Sequence, residues 1–102
     1  DNIELNYKYA REQVVRGDVR GAAATLERIL MVDPALPRVR LFYAIVLYRL
    51  DNLAEARREL ESLKALAMPS SLRAEIDEYI EESQRGDYDH LLRTAMRWVN
   101  CT

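Results

Sequence analysis

His90 is the only histidine of the chain, and Asp87 and Asp89 flank it. A histidine beside carboxylates is the residue set of a metal ligand or a general base. A tetrahedral metal site needs three or four ligands, however, and no second histidine or cysteine pair stands nearby. By position, His90 falls in the first turn of a helix opened by Asp87, where a solvated side chain is the plainer reading. Cys101 is the only cysteine, so no internal disulfide can form and no Cys–His nucleophile pair is spelled out. Glu75, Asp77, Glu78, Glu81 and Glu82 crowd one segment. Carboxylates do acid–base work when they are held across a cleft with separated pKa values. On one helix, with Leu72, Ile76, Tyr79 and Ile80 as its apolar stripe, they form a solvated face instead. Arg57-Arg58 is too short for a nucleic-acid patch, and glycine-rich phosphate loops are absent. Asn100-Cys101-Thr102 has the spelling of a glycosylation acceptor, a three-residue match with little weight. No catalytic residue, metal ligand or cofactor is therefore expected.

The elements that carry these residues follow from composition and period. Of 102 residues, 49% are hydrophobic and 31% charged, with three Gly and three Pro. This is the balance of a folded, helix-rich chain rather than a disordered one. A net charge of −2 argues against a nucleic-acid partner held through its phosphates. No apolar run approaches the ~20 residues that span a bilayer, so direct membrane insertion of this segment is not expected. No signal peptide is visible, and Asp1 as first residue suggests an upstream segment removed in processing.

An internal period decides the architecture. Arg16-Gly17-Asp18-Val19 aligns with Leu50-Asp51-Asn52-Leu53 at an offset of 34 residues, carrying Tyr9-Ala10 onto Tyr43-Ala44. Ala22, Leu26 and Ile29 fall on Ala56, Leu60 and Leu63, and a third copy begins near Arg85-Gly86-Asp87-Tyr88. Within the first copy, Ile3, Tyr7, Ala10 and Val14 recur on one helical face until Gly17-Asp18 breaks the helix. Asp18 can cap a second helix carrying Ala22, Leu26, Ile29 and Leu30, which Asp33-Pro34 stops. The second copy predicts helices over about 37–50 and 53–66. The third predicts one from Pro69-Ser70-Ser71 to about Ser83 and a last one from Asp87 to about Asn100. Small residues at Ala10, Ala22, Ala44 and Ala56 let paired axes approach to about 8–10 Å. The run Leu41 to Tyr48 is apolar almost all round, as a helix enclosed by neighbours must be.

The chain thus reads as all-α, with about six helices in antiparallel hairpins. It is one domain over 1–102, with repeats near 3–36 and 37–70 and a degenerate or capping hairpin at 71–102. These residues resemble the tetratricopeptide repeat over essentially the whole length. Ala10, Gly17-Asp18, Ala22, Leu26, Ile29 and Asp33-Pro34 match in the first copy, and Tyr43, Ala44, Ala56, Leu60 and Leu63 in the second. The resemblance implies a right-handed solenoid and a non-catalytic module that binds protein segments. A narrower resemblance joins Arg20-Gly21-Ala22-Ala23-Ala24-Thr25-Leu26-Glu27-Arg28 and Leu36-Pro37-Arg38-Val39-Arg40-Leu41 to the repeat region of bacterial surface-lipoprotein assembly modifiers. It implies a periplasmic location, with the cytoplasm as the alternative.

In the family, the first helix of each repeat lines a concave groove. Carried over position by position, that groove comprises Glu4, Tyr7, Arg11, Val14 and Val15, then Arg38, Leu41, Ile45, Tyr48 and Arg49. The expected partner-binding set is Tyr7, Arg11, Val14, Arg38, Leu41, Ile45, Tyr48 and Arg49. Aromatic and aliphatic surface beside guanidinium groups suits a protein or peptide interface. Val14, Leu41 and Ile45 fit groove or internal packing equally, whereas Tyr48 and the arginines are expected to be exposed. Repeats that clamp a C-terminal carboxylate use Lys and Asn where Tyr7, Arg11 and Phe42 stand here, so that ligand class is not indicated. The alternative function is a scaffold that assembles into homo-oligomers through the last helix, where Tyr88, Leu91, Leu92, Ala95, Met96, Trp98 and Val99 form a wide apolar face.

Overall fold

The structure, a computed structural model, describes residues 2–83. Five helices follow one another: α1 (Asn2–Val15), α2 (Val19–Val32), α3 (Pro37–Arg49), α4 (Leu53–Ala65) and α5 (Ser70–Ser83). All regular structure among the described residues is helical. The helix expected over 87–100 lies outside the described residues.

The two hairpin turns are built alike. Gly17 takes a φ of 86°, and its N–H reaches the Val14 carbonyl at 3.0 Å. Asp18 N–H bonds the Gln13 carbonyl at 2.7 Å. Thirty-four positions on, Asp51 takes a φ of 63°, bonding the Tyr48 carbonyl at 3.0 Å, and Asn52 bonds that of Leu47 at 2.9 Å. Both are the paired 6→1 and 5→2 bonds that close a helix on a left-handed residue. An aspartate is among the few side-chain-bearing residues that tolerate that conformation. The period is therefore a period of backbone geometry.

Each helix start has its own cause. Asp18 caps α2 by accepting from Gly21 N–H at 3.0 Å, while Asn52 holds the same place before α4 without a side-chain bond. Pro37 opens α3, where a missing N–H costs nothing. Arg73 of α5 donates to the Leu63 carbonyl at 3.2 Å and to that of Leu66, so a cation covers the carbonyl end of α4.

Burial follows the small-residue pattern: Ala10, Ala22, Ala44 and Ala56 are all fully enclosed. Around them pack Leu26, Phe42, Val46, Leu63 and Ile76, each without accessible surface or nearly so. Every residue of α3 from Leu41 to Tyr48 is buried, as the all-round apolar run required. The rings of Tyr7 and Phe42 meet at 5.7 Å, tilted by 53°, tying α1 to α3. On α5, Ile76 enters the core while Glu75, Asp77, Glu78 and Glu81 face solvent. The acidic run is a wet face.

Candidate functional site

Two of the α1 and α3 positions expected to line a groove share a recess among the described residues. Tyr7 and Arg38 are brought side by side: the Tyr7 hydroxyl lies 3.5 Å from the Arg38 carbonyl, and both residues line one recess. Its volume is about 330 Å³, with Ile3, Leu36, Pro37, Val39 and Leu72 as apolar walls and Glu4 at the rim. The recess thus draws on the starts of α1, α3 and α5 together. Glu4 pairs with Lys8 across one turn at 3.3 Å, and the Arg38 side chain is exposed.

Arg49 lies elsewhere. It shares a second recess of about 310 Å³ with Gly17, Asp18, Val19, Arg20 and Leu50, at the hairpin turns. Arg11 and Val14 stand half-buried on the later turns of α1. The Arg11 guanidinium donates to Glu12 at 3.3 Å, and its Nε is enclosed with no hydrogen-bond partner among the described residues.

Leu41, Ile45 and Tyr48 belong to the core. The expectation that Tyr48 stands exposed is corrected: it keeps only 9% of its surface, and Leu41 and Ile45 keep less. The cause is enclosure of α3 on all sides, which a groove position in a one-sided helix would not experience. Of the residues carried over, Arg38 and Arg49 are exposed as expected, and Arg11 is half-covered.

Three features went unread in the sequence. Arg40 and Glu59 form an ion pair at 2.6 Å between α3 and α4, with side chains only 14% and 15% exposed. The same guanidinium donates to the Pro34 carbonyl at 2.8 Å, crossing to the loop that joins the repeats. Tyr43 donates from its hydroxyl to Glu27 Oε2 at 3.1 Å, linking α3 to α2. Burial first, and then the bonded Glu27 carboxylate and its charge, push the Tyr43 phenol up to about 12. Finally, the Thr25 hydroxyl donates to Gln13 Oε1 at 2.7 Å inside the first hairpin. A polar residue three or four places from the small alanines was the available signal.

Among the described residues, no group of three His, Cys, Asp or Glu side chains is placed to hold a metal ion, and no helix is long and apolar enough to cross a membrane. His90, Cys101 and the apolar face at 88–99 lie outside the described residues. What the described surface offers is an apolar recess with a carboxylate and a guanidinium at its mouth. Among the described residues lining it there is no nucleophile–base pair.

Comparison with known proteins agrees with the geometry. No curated protein and no solved structure matches the chain, and the narrower likeness to assembly modifiers gains nothing from them. A family model described as tetratricopeptide repeat matches residues 14–75, from the end of α1 into α5. The match covers more than half of a chain whose helices, turns and buried alanines already repeat every 34 residues: the chain belongs to the tetratricopeptide repeat family.

Proposed function

We propose that this chain is a protein-interaction module whose recess at the starts of α1, α3 and α5 takes an apolar side chain of a partner segment. Family membership supports a protein-binding role in general. The single observation that carries the finer reading is the recess itself, the place where three successive first helices meet on an accessible apolar floor. Its size falls at the lower end of the roughly 300–1,000 Å³ of ligand pockets, suited to an anchor residue rather than a cofactor. Arg38 at the mouth favours a partner with acidic residues beside its anchor, and sets register and association rate more than affinity. Tyr7, Arg11 and Val14 continue the contact along α1. Leu41, Ile45 and Tyr48, buried in the core, hold α3 against its neighbours. Arg49, at the turns, contributes to a longer segment. No catalytic step is assigned.

The test uses peptides selected on the full chain from a random display library. Leu72→Glu, which puts a charge in the apolar wall, is expected to weaken the selected peptides at least tenfold. Arg38→Glu should slow association of acidic peptides and blunt its salt dependence. Arg57→Glu, on an exposed stretch of α4 away from the recess, is the control. Peptides that bind Leu72→Glu and Arg38→Glu like the parent chain would place the working surface elsewhere.

A further inference from the structure

The third copy of the period departs from the first two at the positions that close a hairpin. Ala10 with Ala22, and Ala44 with Ala56, are the fully enclosed small pairs of the first two copies. Setting Arg85-Gly86-Asp87 on Arg16-Gly17-Asp18 puts Tyr79 and Leu91 in those two places. Glu75 and Glu82 flank Tyr79 at the spacing at which Arg40 and Leu47 flank Ala44, and Glu75 is exposed. The positions of α5 that would receive a following helix are thus bulky and acidic, where α1 and α3 present alanine for a close approach. Yet the segment 88–99 carries a wide apolar face that includes Leu92, Ala95, Met96 and Val99. Such a face needs cover, and the recess at Ile3, Tyr7, Val39 and Leu72 is apolar and accessible.

We propose that the chain's own segment 87–100 turns back as a helix antiparallel to α5 and docks its last turn in the recess at the starts of α1, α3 and α5. Length fits this course. The 14 residues of α5 carry the chain about 21 Å along its axis, away from the recess at its start. A helix over 87–100 covers about the same distance in return, which brings Met96 and Val99 level with Leu72. Charge fits the other end. The starts of α1, α3 and α5 lie together, so α5 ends on the side of the molecule where Arg49 ends α3. Asp87 and Asp89 then open the returning helix near the exposed Arg20 and Arg49 of the second recess. Because the segment is tethered, it meets the recess at a far higher effective concentration than a free ligand does. Its regulatory consequence rests on the recess being the partner site: the segment is then an internal competitor, and its release opens the site.

Cys101, the only cysteine, lies two residues past Val99 and accepts a nitroxide label in the full chain without any substitution. The label is expected to broaden the backbone amide resonances of Ile3, Tyr7, Arg38 and Leu72 more than those of Glu61 and Lys64 on α4. Met96→Glu with Val99→Glu should abolish the broadening at Ile3 and Tyr7. Arg49→Glu should weaken it, and Asp87→Arg with Asp89→Arg in the same chain should restore it. These readouts involve no partner, so they stand or fall apart from the role of the recess as a partner site. Where that role also holds, library-selected peptides should bind the Met96→Glu, Val99→Glu variant about tenfold more tightly, as for a site about nine-tenths occupied by its own segment. Broadening strongest at Glu61 and Lys64, with Ile3 and Tyr7 unaffected, overturns the proposal, since the segment would then pack behind α5. So does broadening that appears on unlabelled, isotope-enriched chains mixed with labelled ones, which would make the occupant a second copy.

Discussion

Inside the first hairpin a few polar side chains share one small space. Gln13 and Thr25 are both buried, and the 2.7 Å bond between them satisfies two groups that water cannot reach. Gln13 Nε2 in turn lies 3.4 Å from the Asp18 carboxylate that caps α2. Gly21 leaves room for this cluster; a Cβ there would overlap the Asp18 carboxylate and the Gln13 amide. Thr25→Val keeps the shape but strands the Gln13 oxygen, at a cost of about 1–3 kcal/mol. Thermal unfolding should register that loss, and Thr25→Ser should recover much of it. Tyr43 makes a separate prediction through pH. Its phenol, pushed up to about 12, holds its proton more tightly in the folded chain than the ordinary value of 10.0. The resulting stability is complete below about pH 10 and is lost as pH rises towards about 12. The stability of the parent chain minus that of Tyr43→Phe should therefore shrink over that window. A difference that stays constant from pH 9 to 12 would contradict the assignment.

At the scale of elements, the helices were legible because their causes are local. Gly17 and Asp51 take left-handed φ values at equivalent turns, and Pro37 opens α3 where its ring is harmless. The four alanines also repeat, and all are fully buried, so the register of each hairpin follows from small residues at fixed spacing. Ala56→Leu should accordingly overpack α4 and cost about 1–3 kcal/mol, lowering the melting temperature clearly. An unchanged melting curve would mean that Ala56 is not at a close approach. The groove was less legible, for a physical reason. Spacing tells which residues of a helix share a face, but not what lies across from that face. Leu41, Ile45 and Tyr48 do share a face of α3, yet enclosure of the whole helix removes it from solvent. Arg40 and Glu59 failed in the opposite sense. Charged residues read as surface, and only the meeting of α3 with α4 reveals them as a mostly covered pair.

At the scale of the molecule, repetition produces both the core and the surfaces left over from it. Each hairpin covers the next, so α3 is enclosed and the three first-helix starts converge on one recess. Tyr7 and Arg38, named from the repeat pattern, stand at that recess, and Ile3 of α1, Leu36 just before α3 and Leu72 of α5 complete it. No single stretch of sequence spells that group out. The most direct measurement is the binding site of a library-selected peptide on the full chain, mapped by intermolecular nuclear Overhauser effects to side-chain methyl and ring protons. Contacts from an apolar ligand residue to Ile3, Tyr7, Val39 and Leu72, with an acidic neighbour near Arg38, are expected. Contacts confined to residues outside the recess, with these four silent, would contradict the proposed function.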